Sequence, residues 1–375
     1  MKFRCERDNL VEAVQFASRA ISNRATLPVL SGLRIEATES GRVRIAATDL
    51  ELTMETSFEA GVDDPGRVIV PGRLFGEMTK SLAPGQVAVA GSTGEVEIGS
   101  GRGQFRVKTL VADDYPALPI DDASAEGFDV AIDSAELATA LSQVVRSAST
   151  DESRQVLTGV LWEIESGTLT LASTDSYRLG VRTLKVKGGP AEARKVVLPA
   201  RALGEIGRAL QGAGGEVTAG FRENMVSFSV GASGASAADS VVGSRFIEGE
   251  FPNYRQLLPE GYPNTLTVDR EALLEVSRRV GLLAQGNLPV KLRLDSELEI
   301  SAHTPDVGEG QEVLDAEYQG EPFVIAFNPN FLGDGISAFQ SDRVVLTAGD
   351  GLKPAILRGE EDESFTYLLM PVRLS

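Results

Sequence analysis

The sequence predicts an α+β protein made of three copies of one module, each with two helices and antiparallel strands. Three observations carry that reading: chain length, an amphipathic helix recurring about a third of the chain apart, and a strand-into-helix string that recurs with it. A chain of 375 residues exceeds what one ordinary core supports, so two or three domains are expected. Repeats are sought first, because a missed repeat misreads the whole fold.

The first helix is expected to open at Asp8, a good N-cap type, with Leu10, Val14, Ala17 and Ile21 on one face. The spacing returns in Leu137, Leu141, Val144 and Ala148 after Ser134, and in Leu273, Val276, Val280 and Leu283 after Asp269. Alternating strands follow each helix. Leu33 and Ile35 lead through Val43 and Ile45 to Thr48-Asp49; Leu161 and Ile164 lead through Leu169 and Leu171 to Thr174-Asp175. The third copy has Leu292 and Leu294, then Leu298 and Ile300, then His303-Thr304. Next comes the strand-into-helix string: VIVPGRLFGEM at 68–78, VVLPARALGEI at 196–206, and a weaker relative, FVIAFNPNFL, at 323–332. Pro71 and Pro199 stand where strand gives way to helix, where a missing amide proton costs least. Pro116–Asp129 and Leu258–Thr265 read as linkers, giving domains 1–120, 128–257 and 262–375. The small-residue stretch Gly231–Ala238 reads as a loop.

Composition excludes much chemistry. Hydrophobic residues at 42% and charged residues at 24% are those of an ordinary globular protein. His303 is the only histidine and Cys5 the only cysteine, so multi-His and Cys/His metal sites cannot be built and no intramolecular disulfide can form. His303, beside Thr304 and Pro305, reads as a loop residue. No glycine-rich run precedes Lys-Ser/Thr, and Gly99, Gly101 and Gly103 lead into strand-like residues, which is a hairpin turn. No catalytic residue, metal or cofactor is expected. No apolar run approaches the roughly 18 residues of a membrane span, the N-terminus has no signal-peptide core, and a cytoplasmic, nucleoid-associated location is the expectation.

The net charge of −18 argues against a nucleic-acid partner until its placement is considered. The helical segments nearly balance: Asp8 and Glu12 face Arg19 and Arg24; Glu77 faces Arg73 and Lys80; Glu205 faces Arg201 and Arg208. Acidity is therefore concentrated in strands and loops. Helices gathered on one surface would leave that surface neutral to basic.

Several strings together resemble one family: MKFRCERDNL at 1–10, RATLPVL at 24–30, ATDLELTM at 47–54, STDSYRL at 173–179, GEFPNYRQLLP at 249–259 and YLLMPVRL at 367–374. They span the chain and resemble the bacterial DNA polymerase III β subunit, the β sliding clamp. The resemblance implies three clamp domains and a head-to-tail homodimer closing a six-domain ring, with helices lining the hole. Its function would be that of a processivity factor without an active site. It would encircle double-stranded DNA without sequence specificity and bind the polymerase III catalytic subunit, the clamp loader, and other polymerases and repair proteins.

By the same resemblance, Arg24 and Arg73 match DNA-contacting arginines; Arg146, Arg154, Gln155 and Arg201 are plausible additions. Gln155 and Val156 stand where relatives often carry tyrosines. The partner-peptide pocket maps to Leu157, Thr174, Ser176, Tyr177, Arg178, Leu179, Pro252, Leu257, Leu368, Met370, Pro371, Val372, Arg373 and Leu374, with Tyr177 in place of a histidine found in some relatives. Leucines, prolines and an adaptable methionine suit a concave apolar lining. Phe105 and Val107 would meet Leu282 and Leu283 across the dimer. Two other readings stay open on the residues alone. One is a hydrolase using Asp113-Asp114 or Asp121-Asp122, although adjacent carboxylates on an extended chain point apart. The other is a repeat scaffold that binds peptides but not DNA.

Overall fold

The computed structural model describes residues 1–21, 27–92, 94–118, 120, 126–231, 239–259, 261–286 and 288–374. Arg24, Asp121-Asp122 and nearly all of the 231–238 loop lie outside the described residues.

Six α-helices form: α1 (Arg7–Ser18), α2 (Gly72–Ser81), α3 (Ser134–Val144), α4 (Ala200–Ala209), α5 (Arg270–Gly281) and α6 (Pro329–Ala338). Their starts follow local chemistry. Asp269 Oδ1 accepts from Ala272 N–H at 2.7 Å and caps α5. Asn328 caps α6 through the amides of Asn330 and Phe331, with Pro329 at the first helical position. One cap assignment changes: Asp8 lies inside the first turn of α1, whose N-cap is Glu6 without a side-chain bond. At α3 Asp133 Oδ1 takes the amides of Ala135 and Glu136. Pro71 and Pro199 do end strands immediately before α2 and α4.

The chain forms two compact units. Unit 1 comprises Met1–Ala138, Val186–Ala191 and Arg201–Phe246; unit 2 comprises Thr139–Lys185, Glu192–Ala200 and Ile247–Ser375. Each is built on two sheets. Unit 1 has a nine-stranded sheet in the order Lys187–Gly188, Phe128–Asp133, Glu216–Phe221, Met225–Val230, Asp239–Arg245, Leu52–Glu59, Arg42–Thr48, Gly32–Ala37, Gly66–Pro71. Its five-stranded sheet runs Gly61–Asp64, Lys2–Glu6, Gln86–Ser92, Glu95–Ser100, Gly103–Lys108.

Unit 2 has a nine-stranded sheet in the order Arg194–Pro199, Gly159–Glu165, Thr168–Thr174, Arg178–Lys185, Phe365–Leu369, Ala355–Gly359, Arg343–Ala348, Asn264–Asp269, Ala316–Gln319. Its four-stranded sheet runs Gly308–Leu314, Leu298–Thr304, Val290–Leu294, Phe323–Phe327.

Each nine-stranded sheet crosses a repeat boundary. In unit 1, Asp239–Arg245 of the second repeat pairs antiparallel with Leu52–Glu59 of the first. In unit 2, Arg178–Lys185 of the second pairs with Phe365–Leu369 of the third. Four strands of one repeat thus meet five of the next, twice. The repeats are visible in sequence, but the compact bodies are not the repeats, because the strongest lateral bonding runs between them.

The helices cover these sheets. In unit 1, α1 packs on α2 and on strands Arg42–Thr48 and Leu52–Glu59; in unit 2, α5 packs on α6 and on strands Leu298–Thr304 and Gly308–Leu314. Among the expected positions α1 buries Leu10, Val14 and Ala17, and α5 buries Leu273, Val276 and Val280, whereas Ile21 and Leu283 fall beyond the helix ends and are half-buried. Phe3, Phe75, Trp162 and Tyr367 are fully buried; truncating such a ring costs about 3–5 kcal/mol. The Gly99–Gly103 segment is the predicted hairpin, with Gly101 at φ 57° joining two strands. His303 sits on strand Leu298–Thr304, not in a loop, exposed and 3.7 Å from Glu309.

Candidate partner-binding groove

The pocket residues named from sequence all fall in unit 2, around the junction of strands Arg178–Lys185 and Phe365–Leu369. The rim is a turn wound on Asp175. Its Oδ1 accepts the amides of Tyr177 and Arg178 at 2.9 and 3.0 Å, and Thr174 Oγ1 accepts Ser176 N–H at 3.1 Å. Ser176 is held at φ 82°, a left-handed conformation costly for a residue with a Cβ. The register sets Leu179 opposite Leu368. Met370 N–H donates to Tyr177 O at 2.8 Å, so the C-terminal segment leaves the sheet along this rim, and Val372 N–H to Ala326 O at 2.7 Å fixes its course.

Arg178 locks the rim from below. Its Nε donates to Asp175 Oδ2 at 3.0 Å and its Nη1 to Asp334 Oδ2 at 2.6 Å, with the guanidinium 4.4 Å from the centre of the Phe331 ring. Tyr177, 60% exposed, stacks on the same ring at 6.2 Å. Phe331 and Asp334 were not singled out from sequence. Their signal was the Asn328-capped start of α6, which aims that face at the rim. Arg178, mapped to the pocket by the resemblance, is half-buried in these internal bonds.

The floor is apolar. Leu161, Ala172, Leu179, Val197, Tyr254, Ile356 and Leu368 form one buried cluster, with Val156, Phe251 and Leu258 packed against it. Leu257 and Met370 stay exposed beside it, while Pro371 and Val372 are half-buried. The wall carrying Pro252 and Leu257 is tied down by Glu163. That carboxylate accepts from Tyr254 Oη at 2.8 Å and from Arg255 at 2.9 and 2.5 Å, with Lys195 Nζ at 2.7 Å. Burial alone would raise its pKa; Arg255, Lys195 and Tyr254 overcome that and bring it down to about 2.

The arginines assigned to DNA divide by their partners. Arg73 on α2 is 92% exposed, with Glu77 at 3.2 Å. Arg201 on α4 is half-exposed and pairs with Asp49 Oδ2 at 2.5 Å. Gln155 is exposed. Arg146 and Arg154 fit the DNA expectation poorly, because their N–H groups are spent inside the protein. Arg146 donates to the carbonyls of Ser142 and Asp334 and to Ser337 Oγ. Arg154 donates to Asp151, Ser149 Oγ, Asp175 O and Ser176 Oγ, bracing the groove rim. Of the dimer residues, Leu282 is 76% and Phe105 39% exposed, whereas Val107 at 3% is already core of its own sheet.

Nothing in the described residues resembles an active site. No metal-ligating cluster occurs among them, and burial pushes the Cys5 thiol up to about 12, with Glu6 adding to the effect. No helix among them is long and apolar enough to cross a membrane.

Like modules are thus joined by sheets across their boundaries, with an apolar groove at one junction, the plan of a sliding clamp. Models of the DNA polymerase III beta subunit match in succession: its N-terminal domain over residues 1–119, central domain over 131–253 and C-terminal domain over 255–373. The chain is 36% identical over 395 residues to the beta sliding clamp of Streptomyces coelicolor, covering all of both chains. It is 34% identical over 400 residues to that of Synechocystis, again over the full length of both. The DNA polymerase sliding clamp structure from Bacillus subtilis superposes with a TM-score of 0.92 at 28% identity, covering all of both chains. A sliding clamp from Bartonella birtlesii bound to griselimycin gives 0.91 at 27%, with the same coverage. The chain belongs to the DNA polymerase III beta-subunit family. It is an accessory subunit, a processivity factor with no catalytic site of its own.

Proposed function

We propose that two copies of this chain, each of domains 1–120, 128–257 and 262–375, close head to tail into a ring around duplex DNA. The observation that carries this is the sheet arithmetic. Two junctions within the chain each join four strands of one repeat to five of the next, and what remains is one five-stranded and one four-stranded sheet with free edges. The edge Gly103–Lys108 bears Arg106 and Lys108; the edge Gly308–Leu314 bears Glu309 and Glu312. Pairing one copy's first edge with its partner's second would rebuild the same nine-stranded plan and bring opposite charges together. Phe105, Leu282 and Leu283 would supply apolar contact there.

Within the ring, Arg24, Arg73 and Arg201 would meet the phosphate backbone, with Gln155 beside it. Such contacts are weak and sequence-independent, so they permit sliding while closure prevents escape. Arg146 and Arg154 contribute by holding α6 and the groove rim. The unit 2 groove, from Leu157 and Thr174–Leu179 across Pro252 and Leu257 to Leu368–Leu374, receives a short peptide motif of replication and repair proteins, its apolar anchors supplying most of the affinity. Work on chromosomal DNA places the protein in the cytoplasm, at the nucleoid.

The test is topological. Once loaded, the protein should remain on closed circular DNA and be lost on linearisation, and the purified chain should sediment as a dimer. Equal loss from circular and linear DNA, or a stable monomer, sinks the ring.

A further inference from the structure

Three rows of paired residues cross the sheets in one pattern, and the third stops short. In unit 1, Val68 pairs with Ile35, Ile35 with Ile45, Ile45 with Thr56, and Thr56 with Ser240 of the next repeat. In unit 2, Val196 pairs with Trp162, and the row continues through Leu171 and Arg182 to Phe365, again in the next repeat. The third row runs from Ile325 through Leu292 and Ile300 to Glu312 and ends at the free edge Gly308–Leu314.

A backbone bond marks the residue that completes each row. Ile247 N–H donates to Val197 O and Val372 N–H to Ala326 O, and Ser240 and Phe365 stand seven residues before these two donors. The first repeat makes the same bond, Leu110 N–H to Ile69 O at 2.8 Å, and seven residues before Leu110 stands Gly103. Gly103 opens the other free edge, Gly103–Lys108.

We infer that two copies of the chain pair with Glu312 of one opposite Gly103 of the other, which sets Gln311 against Gln104, Gly310 against Phe105 and Glu309 against Arg106. This rests on the ring proposed above and adds to it which residues meet. The side chains, which played no part in setting the register, agree with it. Phe105 lies opposite Ile98 on the core face of its sheet and is 39% exposed. At Gly310 a Cβ would stand 2.7 Å from Leu283 Cδ1. The ring therefore covers a glycine and meets Leu283, as fully buried Tyr367 covers Gly180 at the junction within unit 2. A shift of one residue would set Phe105 against Glu309 or Gln311 and put the ring on the wrong face.

On the opposite face, His303 and Glu309 are cross-strand neighbours 3.7 Å apart, and Arg106 and Glu97 are neighbours at 3.9 Å. Joining the edges lines them up as His303, Glu309, Arg106, Glu97, with opposite charges meeting across the boundary. In unit 2 the places of Glu309 and Arg106 are held by Leu179 and Leu368, the floor of the peptide groove. An ion pair thus replaces the apolar floor, which suits this junction to a second copy of the chain rather than to a peptide.

Disulfide trapping in the full chain tests the register. Directly opposed residues of an antiparallel pair have Cα atoms about 4.5–5.5 Å apart, within disulfide reach, whereas a displacement of two residues exceeds the limit of about 7 Å. Gln104 and Gln311 are exposed and uncharged, and Cys5 is buried. Gln104→Cys with Gln311→Cys should oxidise to a covalent dimer; Gln104→Cys with Val313→Cys should not. Arg106→Glu or Glu309→Arg alone should raise the dimer dissociation constant roughly tenfold in sedimentation, because both joins of the ring lose the pair, and the two together should recover most of that loss. Coupling through Val313→Cys as fast as through Gln311→Cys, or a double reversal no tighter than the singles, overturns the register while a wild-type dimer keeps the ring. A wild type that stays monomeric sinks both.

Discussion

Glu163 offers the sharpest energetic test, because one carboxylate holds the wall of the partner groove. Glu163→Gln keeps the shape and an acceptor for Tyr254 while removing the charge facing Arg255 and Lys195. Moving a titration from the usual 4.5 to about 2 corresponds to at most ~3 kcal/mol of native-state stabilisation. Lys195 and Arg255 are more than half exposed, and solvent screening reduces this to ~1–2 kcal/mol. The sign follows from the depressed pKa. The stabilisation is fully present above the unfolded value of 4.5 and is lost as pH falls towards 2. Urea unfolding of both proteins, followed by hydrogen exchange in unit 2, should give a gap of ~1–2 kcal/mol at pH 7 that closes between pH ~5 and ~2. Other carboxylates titrate alike in both proteins and cancel. Because Leu257 rides on the same segment, peptide affinity should fall a few-fold at pH 7. A gap that does not change with pH, or none at pH 7, refutes the electrostatic account.

Other perturbations separate the remaining roles. Arg24→Glu with Arg73→Glu should lower DNA-stimulated polymerase activity while sedimentation still reports a dimer; unchanged activity removes these residues from the DNA role. Deleting Met370–Ser375 should abolish binding of the motif peptide, measured by fluorescence anisotropy, and retained affinity would move the pocket elsewhere. Arg178→Ala strands Asp175 and Asp334 and uncovers Phe331, so it should cost ~2–4 kcal/mol in unit 2 and weaken the peptide more than tenfold; a full-affinity variant would show that the rim needs no lock.

The repeat, the helices and the strand-into-helix strings were legible because each depends on local period and turn chemistry, which three copies display three times. Helix starts were read less well. At α3 both Asp133 and Ser134 are good capping types, and only the backbone decides which one bonds. The division into units was not legible, because pairing of Asp239–Arg245 with Leu52–Glu59 joins residues far apart in sequence whose edges have no distinguishing pattern. The same limit applies to the arginines. Exposed Arg73 and internally bonded Arg146 are alike on a helix wheel, and it is the carbonyl of Asp334 and the hydroxyl of Ser337, distant in sequence, that take Arg146 out of solution. A charge count along the helices therefore overstates what a polyanion would meet. The basicity available to DNA rests on fewer side chains than sequence suggests, which makes enclosure rather than affinity the means by which such a protein stays on DNA.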